Sequence, residues 1–162
     1  MKYILLCISL LSLLGCGTDI KTQHDTKTTT TANEQAKTTQ DQDEHVTVAK
    51  QALSSGNYNK AIEESTIAIN VNANNAEAYS IRGFATALNG DTAKGLIDTK
   101  KAYDLDPNNV ANYYNMAMVY KLQGQLNESK QWFEKVLEKD PSNTWSVYGI
   151  ATIYADQGDD TK

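Results

Sequence analysis

From residue 42 onward the small and apolar positions of the chain repeat. Ala49, Gly83, Ala117 and Ala151 form one column of small residues at a spacing of 34. Ala61, Gly95 and Ser129 form a second column, and Ala68, Ala102 and Val136 a third. Small residues recurring on facing sides of two helices let those helices approach closely, and larger apolar residues fill in around them. Tyr79 with Tyr113, and Tyr120 with Tyr154, are the larger partners. The polar punctuation keeps the same period. Gly56, Gly90, Gly124 and Gly158 sit where a helix ends in left-handed backbone geometry, and Asn57, Asp91 and Asp159 follow as N-caps. Asn75, Asn109 and Asn143 close the units; "DPNN" and "DPSN" stop the second helix, with Ala73 in the proline's place in the first unit. Helices are therefore expected near 43–55, 58–71, 76–89, 92–105, 110–123, 126–139 and 144–157.

A helix, a glycine turn and a second helix on this period resemble the tetratricopeptide repeat (TPR). The resemblance covers residues 42–162 and implies an all-α fold, a TPR-type helical solenoid of about three and a half repeats: 42–75, 76–109, 110–143 and a partial 144–162. The first unit departs from the family pattern by lacking the proline and carrying His45 where later units have Tyr79 and Tyr113. Family-typical aromatics are missing at Ser65 and Thr99, while Phe133 supplies one, so the first two units are expected to pack more loosely than the third.

The N-terminus has a different grammar. "MKYILLCISLLSLLGC" has a positive start at Lys2, a short apolar run from Ile4 to Leu14, and a small residue, Gly15, before the cysteine. The run is too short to span a bilayer, which takes about 20 apolar residues. A plain secretory signal cut near Gly15 fits these features. Leu13, Leu14, Gly15 and Cys16 also resemble the lipobox of bacterial lipoproteins, which implies a signal peptide over 1–15 and a diacylglyceryl group on Cys16. More than one acyl chain, each buried CH₂ contributing about 0.8 kcal/mol, would make such anchorage long-lived. Gly17 after the cysteine resembles an outer-membrane lipoprotein in a double-membraned bacterium. In a single-membraned one, the chain would sit on the outer face of the cell membrane. Residues 16–41 then form a Thr-rich tether whose only large apolar residue is Ile20, too polar to offset its ordering entropy. As a flexible coil it would hold the following domain about 25 to 30 Å from its anchor.

Composition narrows function further. The chain has 162 residues and a formal net charge of -5, which disfavours a nucleic-acid partner because phosphate contacts need clustered Lys and Arg. Both cysteines, Cys7 and Cys16, lie at the N-terminus, so the repeats contain no disulfide framework. The two histidines are His24, a solvated tail residue, and His45, at the domain's edge. "GDTAKG" lacks the spacing and preceding strand of a phosphate loop, and the repeat accounts for it. Neither an enzyme, a cofactor, a metal site nor a small-molecule substrate is expected.

What remains is a surface. In the family resembled here, the first helix of each unit lines a concave groove that takes a peptide. That geometry implies Val46, Lys50, Glu77, Ser80, Phe84, Tyr114, Met118, Lys121, Trp145 and Tyr148 on or near the groove. Phe84, Tyr114, Met118, Lys121, Trp145 and Tyr148 form its partner-binding strip, aromatic and methionine-containing as binding hot spots often are. Relatives that grip the C-terminal carboxylate of heat-shock chaperones use Lys, Asn and Arg here. The matching positions Val46, Lys50, Ile81, Ala111 and Asn115 lack most of that clamp, so such a ligand is not expected. The last helix spreads Trp145, Val147, Tyr148, Ile150, Ile153 and Tyr154 over more than one face, and the turn at Gly158 introduces no further helix. Either the natural chain continues past Lys162 or another molecule covers that face. The sequence thus points to a lipid-anchored binding module of a bacterial cell envelope. The rival is an assembly factor of the pilus or secretion type, self-associating or stacking through the C-terminal face.

Overall fold

A computed structural model describes residues 26–158, with side chains from residue 40 onward. The signal segment, Cys16, the tether as far as Asp25, and Asp159 lie outside the described residues. Seven helices fill the described span: α1 (Thr26–Ser54), α2 (Tyr58–Val71), α3 (Ala76–Leu88), α4 (Thr92–Leu105), α5 (Val110–Leu122), α6 (Leu126–Lys139) and α7 (Thr144–Asp156). They stack pairwise as a TPR-like solenoid, α1 on α2, α3 on α4 and α5 on α6, with α1, α3 and α5 also meeting in succession. No described helix is long and apolar enough to cross a membrane.

Boundaries from α2 to α7 fall within one residue of the sequence expectation, because each is set by chemistry that the sequence displays. At the first turn, Gly56 N–H bonds to Leu53 O at 3.1 Å and Asn57 N–H to Ala52 O at 2.8 Å, satisfying carbonyls that α1 leaves open. The same pair of bonds recurs at Gly90–Asp91 and Gly124–Gln125. This geometry requires positive φ, which Gly56 and Gly90 adopt at 76° and 106°. Asn57 and Asp91 cap the next helix through Lys60 N–H at 3.2 Å and Lys94 N–H at 3.0 Å, whereas Gln125 makes no such cap. The inter-repeat turns are built on Asn72, Asp106 and Asp140, whose side chains accept from the backbone two residues on. Ala73 serves as well as Pro107 and Pro141 because the side-chain bond closes that turn.

The N-terminal edge of α1 differs from expectation. Residues 26–41, read as tether, continue the helix. Propagating a helix adds a hydrogen bond for each residue fixed, whereas starting one is costly. A helix held by packing at Val46 therefore extends backward through Ala, Glu, Gln and Lys, all good helix formers. The core itself starts at Val46, since residues 40–45 are exposed or half-buried.

The second unit is not loose. Its two helices touch through Gly83 and Gly95: a Cβ at Gly83 would lie 2.8 Å from both Gly95 O and Thr99 N. Where the expected ring is missing, the backbones have closed the space. The third unit is filled instead by the fully buried Phe133, which with Ala117 and Ile153 forms a core joined by Tyr114, Met118 and Trp132. Gly149 of α7 accommodates that ring, since a Cβ there would meet Phe133 Cζ at 2.5 Å.

Candidate functional site

The first helices of the units present their free side together, and a cleft of about 760 Å³ opens there. Its walls are Ser54 at the end of α1, Phe84 of α3, Val110, Ala111 and Tyr114 of α5, and Asn143 and Trp145 at the start of α7. Three of the six residues expected to bind a partner therefore meet in one cleft: Phe84, Tyr114 and Trp145. Helical spacing explains the arrangement on α5, where Val110, Ala111 and Tyr114 occupy neighbouring turns of one face.

The walls differ in how firmly they are held. Tyr114 stacks edge-on against Phe133 with ring centroids 5.7 Å apart, so its position is fixed by the core of the third unit. Burial raises its phenol above the ordinary tyrosine range, which keeps the group a neutral O–H donor. Among the described residues that hydroxyl meets no hydrogen-bond partner. Trp145 is the most exposed large apolar residue in the described span, with 71% of its surface open. The other polar groups of the walls are engaged internally. Ser54 Oγ donates to Lys50 O at 2.9 Å, and Asn143 Oδ1 caps α7 through Ser146 N–H at 2.9 Å.

The remaining expected residues lie elsewhere. Met118 packs against the Phe133 core because its flexible side chain fills the space beside Ala117. Lys121 is tied to α7 by a bond from Nζ to Thr152 Oγ1. Tyr148 is exposed, but the cleft does not reach it. Val46 and Ser80 are buried: Val46 belongs to the first-unit core, and Ser80 accepts a 2.8 Å bond from Asn115 Nδ2. Lys50 pairs with Glu77. Of the positions matching a carboxylate clamp, only Lys50 is cationic, and that pair occupies it. Ser54, Val110 and Asn143 were missed as wall residues, since a solenoid's curvature decides which turns of successive helices face one another. No described group of His, Cys, Asp or Glu is arranged to hold a metal ion.

The family profile of the tetratricopeptide repeat matches residues 111–143. No curated protein matches the sequence. Among solved structures, the chain is similar to the TPR domain of Arabidopsis OM64, at 21% identity and a TM-score of 0.67, covering 74% of this chain and 98% of that one. It is also similar to the first TPR of Spaghetti (RPAP3) bound to the HSP90 peptide SRMEEVD: 20% identity, TM-score 0.66, 74% and 94% covered. The second TPR domain of human RPAP3, in complex with the HSP70 peptide SGPTIEEVD, matches at 26% identity and TM-score 0.59, with 69% and 97% covered.

Proposed function

We propose that this protein is a non-catalytic binding module that holds a peptide, or a segment of a partner protein, in the cleft between Phe84, Tyr114 and Trp145. The observation that carries this reading is a preformed, aromatic-walled cleft with one free hydroxyl on the side where the first helices converge. Solvent-facing rings around a cleft are the usual anchors of interfaces. Two TPR domains of similar shape were solved with peptides bound, which supports the class of ligand and leaves its identity open. The test compares partner capture from a cell-envelope extract by the intact protein and by Tyr114→Ala and Trp145→Ala variants. One defined partner should be lost from both variants while their helical circular dichroism is kept; retention by both variants would overturn the reading.

The location proposed is the extracytoplasmic side of a bacterial membrane, with lipid on Cys16 and the Thr-rich segment as spacer. This rests on the signal-like run and the Leu13-Leu14-Gly15-Cys16 sequence. Metabolic labelling with a clickable palmitate should mark the intact protein and fail on Cys16→Ser. Labelling that survives the substitution would refute the anchor.

One observation favours the assembly reading as a second possibility. On α7, Val147 and Ala151 stand where Tyr113 and Ala117 receive α6 in the third unit, and Val147 is 52% exposed. Concentration-dependent light scattering that Ala151→Glu abolishes would support stacking through this face. A monomer at every concentration would exclude self-assembly.

A further inference from the structure

The chemistry of the cleft's occupant can be read from the charges around it. None of its seven wall residues is charged: Ser54, Phe84, Val110, Ala111, Tyr114, Asn143 and Trp145. The two lysines nearest this surface in the helical register are both committed, Lys50 to Glu77 and Lys121 to Thr152. The protein as a whole carries a formal charge of -5, so its field repels an acidic ligand rather than steering one in. A carboxylate moved from water into such walls would lose its hydration with no cation to replace it. The polar atoms of Ser54 and Asn143 are already bonded within the protein, which leaves the Tyr114 hydroxyl as the wall donor with no partner among the described residues.

We infer that the cleft takes an uncharged stretch from the interior of a partner chain: a large aliphatic or aromatic side chain enters between Phe84, Tyr114 and Trp145, and a backbone carbonyl accepts from the Tyr114 hydroxyl. This rests on the groove reading above and specifies its ligand. A chain interior is favoured over a chain end because either terminus brings a charge that these walls do not meet. An aliphatic or aromatic side chain is favoured because three rings and a valine offer contact area with little polar competition. The peptides bound by the two structurally similar TPR domains end in Glu-Glu-Val-Asp, an acidic sequence for which this cleft has no counter-charge.

The experiment pans the intact protein against two libraries of short random peptides, one displayed internally and one displayed with free C-termini. The tightest peptide is then titrated by fluorescence anisotropy. The internal library should enrich Leu, Ile, Phe or Trp flanked by uncharged residues. Affinity should change by less than about twofold between low and high salt, because no ion pair is there to be screened. Trp145→Ala and Ala111→Glu should each weaken binding at least about tenfold, since each acts on a wall of a site that excludes charge. Ala111 is exposed in the first turn of α5, where a carboxylate suits the helix, so that variant keeps the fold. Tyr114→Phe should weaken binding by a smaller factor, about fivefold, by removing one hydrogen bond. Enrichment of acidic or free-carboxylate peptides whose binding weakens with salt and fails in Trp145→Ala would overturn the inferred ligand and leave the groove reading standing. Peptides that bind Trp145→Ala and Ala111→Glu as tightly as the unaltered protein, or no enrichment from either library, would overturn both.

Discussion

The second and third repeats use the same period to solve one packing problem in opposite ways. In α3–α4 the helices approach until Gly83 and Gly95 touch backbone to backbone, and a guanidinium binds the pair from outside: Arg82 Nε and Nη2 reach Asp98 at 2.7 and 2.8 Å. In α5–α6 the contact is Ala117 against Ser129, and the ring of Phe133 fills the space beside them. The position of Asp98 is taken one period later by Trp132, which stacks with Tyr103 and Tyr113 at centroid distances of 5.2 and 5.9 Å. One period earlier the position is Glu64, paired with His45 at 2.7 Å. A single register thus passes from imidazole–carboxylate pair to guanidinium–carboxylate pair to aromatic stack along the solenoid. The Tyr114 wall of the cleft stands at the aromatic end, where Phe133 supports it.

The largest expected effect breaks the aromatic half. Phe133→Ala should cost about 3–5 kcal/mol in urea unfolding, because a fully buried ring leaves a cavity that the helices cannot close. It should also weaken ligand binding by freeing Tyr114. A loss under about 1 kcal/mol would mean that α5–α6 can collapse as α3–α4 has. Next, Arg82→Ala should cost about 1.5–3 kcal/mol, since it leaves Asp98 half-buried without its paired donors. Arg82 is itself pushed further toward the charged state by the Asp98 hydrogen bonds, so protonation does not weaken the pair from its side.

Two smaller substitutions sharpen the contrast. Gly95→Ala should destabilise by about 0.5–2 kcal/mol, the overpacking against Gly83 O and Ala87 outweighing the gain in helix propensity. Ser129→Ala, one period later, should cost less than about 1 kcal/mol, because only its hydrogen bond to Ala117 O is lost. Equal losses at the two positions would show that both units pack by the same rule. At the junction between repeats, Asn112 Nδ2 bonds to Ala102 O and Asp106 O, at 3.2 and 2.9 Å. Ser146 holds the same register in α7, is fully buried, and has no partner for its hydroxyl among the described residues. Ser146→Asn should therefore raise stability by about 1 kcal/mol, measured as the shift in thermal midpoint.

The acid response separates the ends of the solenoid. Hydrogen bonds from His45 and then Lys60 lower the Glu64 carboxyl below its ordinary value. A group lowered in the folded state contributes stability that is complete above its unfolded value, near pH 4.3 for Glu, and is lost as pH falls through the folded one. Hydrogen exchange should show α1 and α2 opening as the pH drops below about 4, ahead of α5 and α6, whose aromatic stack holds no carboxylate. Glu64→Gln should remove that difference.

Most of this architecture was legible in the chain. Turn positions, caps and the pairing of helices follow from local chemistry at Gly56, Asn57, Asn75 and their copies, which acts over a few residues. Of the residues expected on the strip, Phe84, Tyr114 and Trp145 share one cleft, as the repeat register had grouped them. Met118, Lys121 and Tyr148 lie outside the cleft walls, because a register says which face a residue shares, not which neighbour claims it. The missing aromatics at Ser65 and Thr99 suggested looseness for the same reason. Volume at one position was visible, but the answering glycine pair at Gly83 and Gly95 takes its meaning only from two helices in contact.

The sequence by itself determined the period, the helix ends and the solenoid class, because capping, glycine turns and small-residue columns are local or repeat every 34 positions. Only the tertiary structure decided the cleft. Its walls come from four first helices that are far apart in the chain, and the stacking of one repeat on the next sets which of their turns converge. Packing also decides that Lys50 and Lys121 are engaged, and that the Tyr114 hydroxyl has no partner among the described residues.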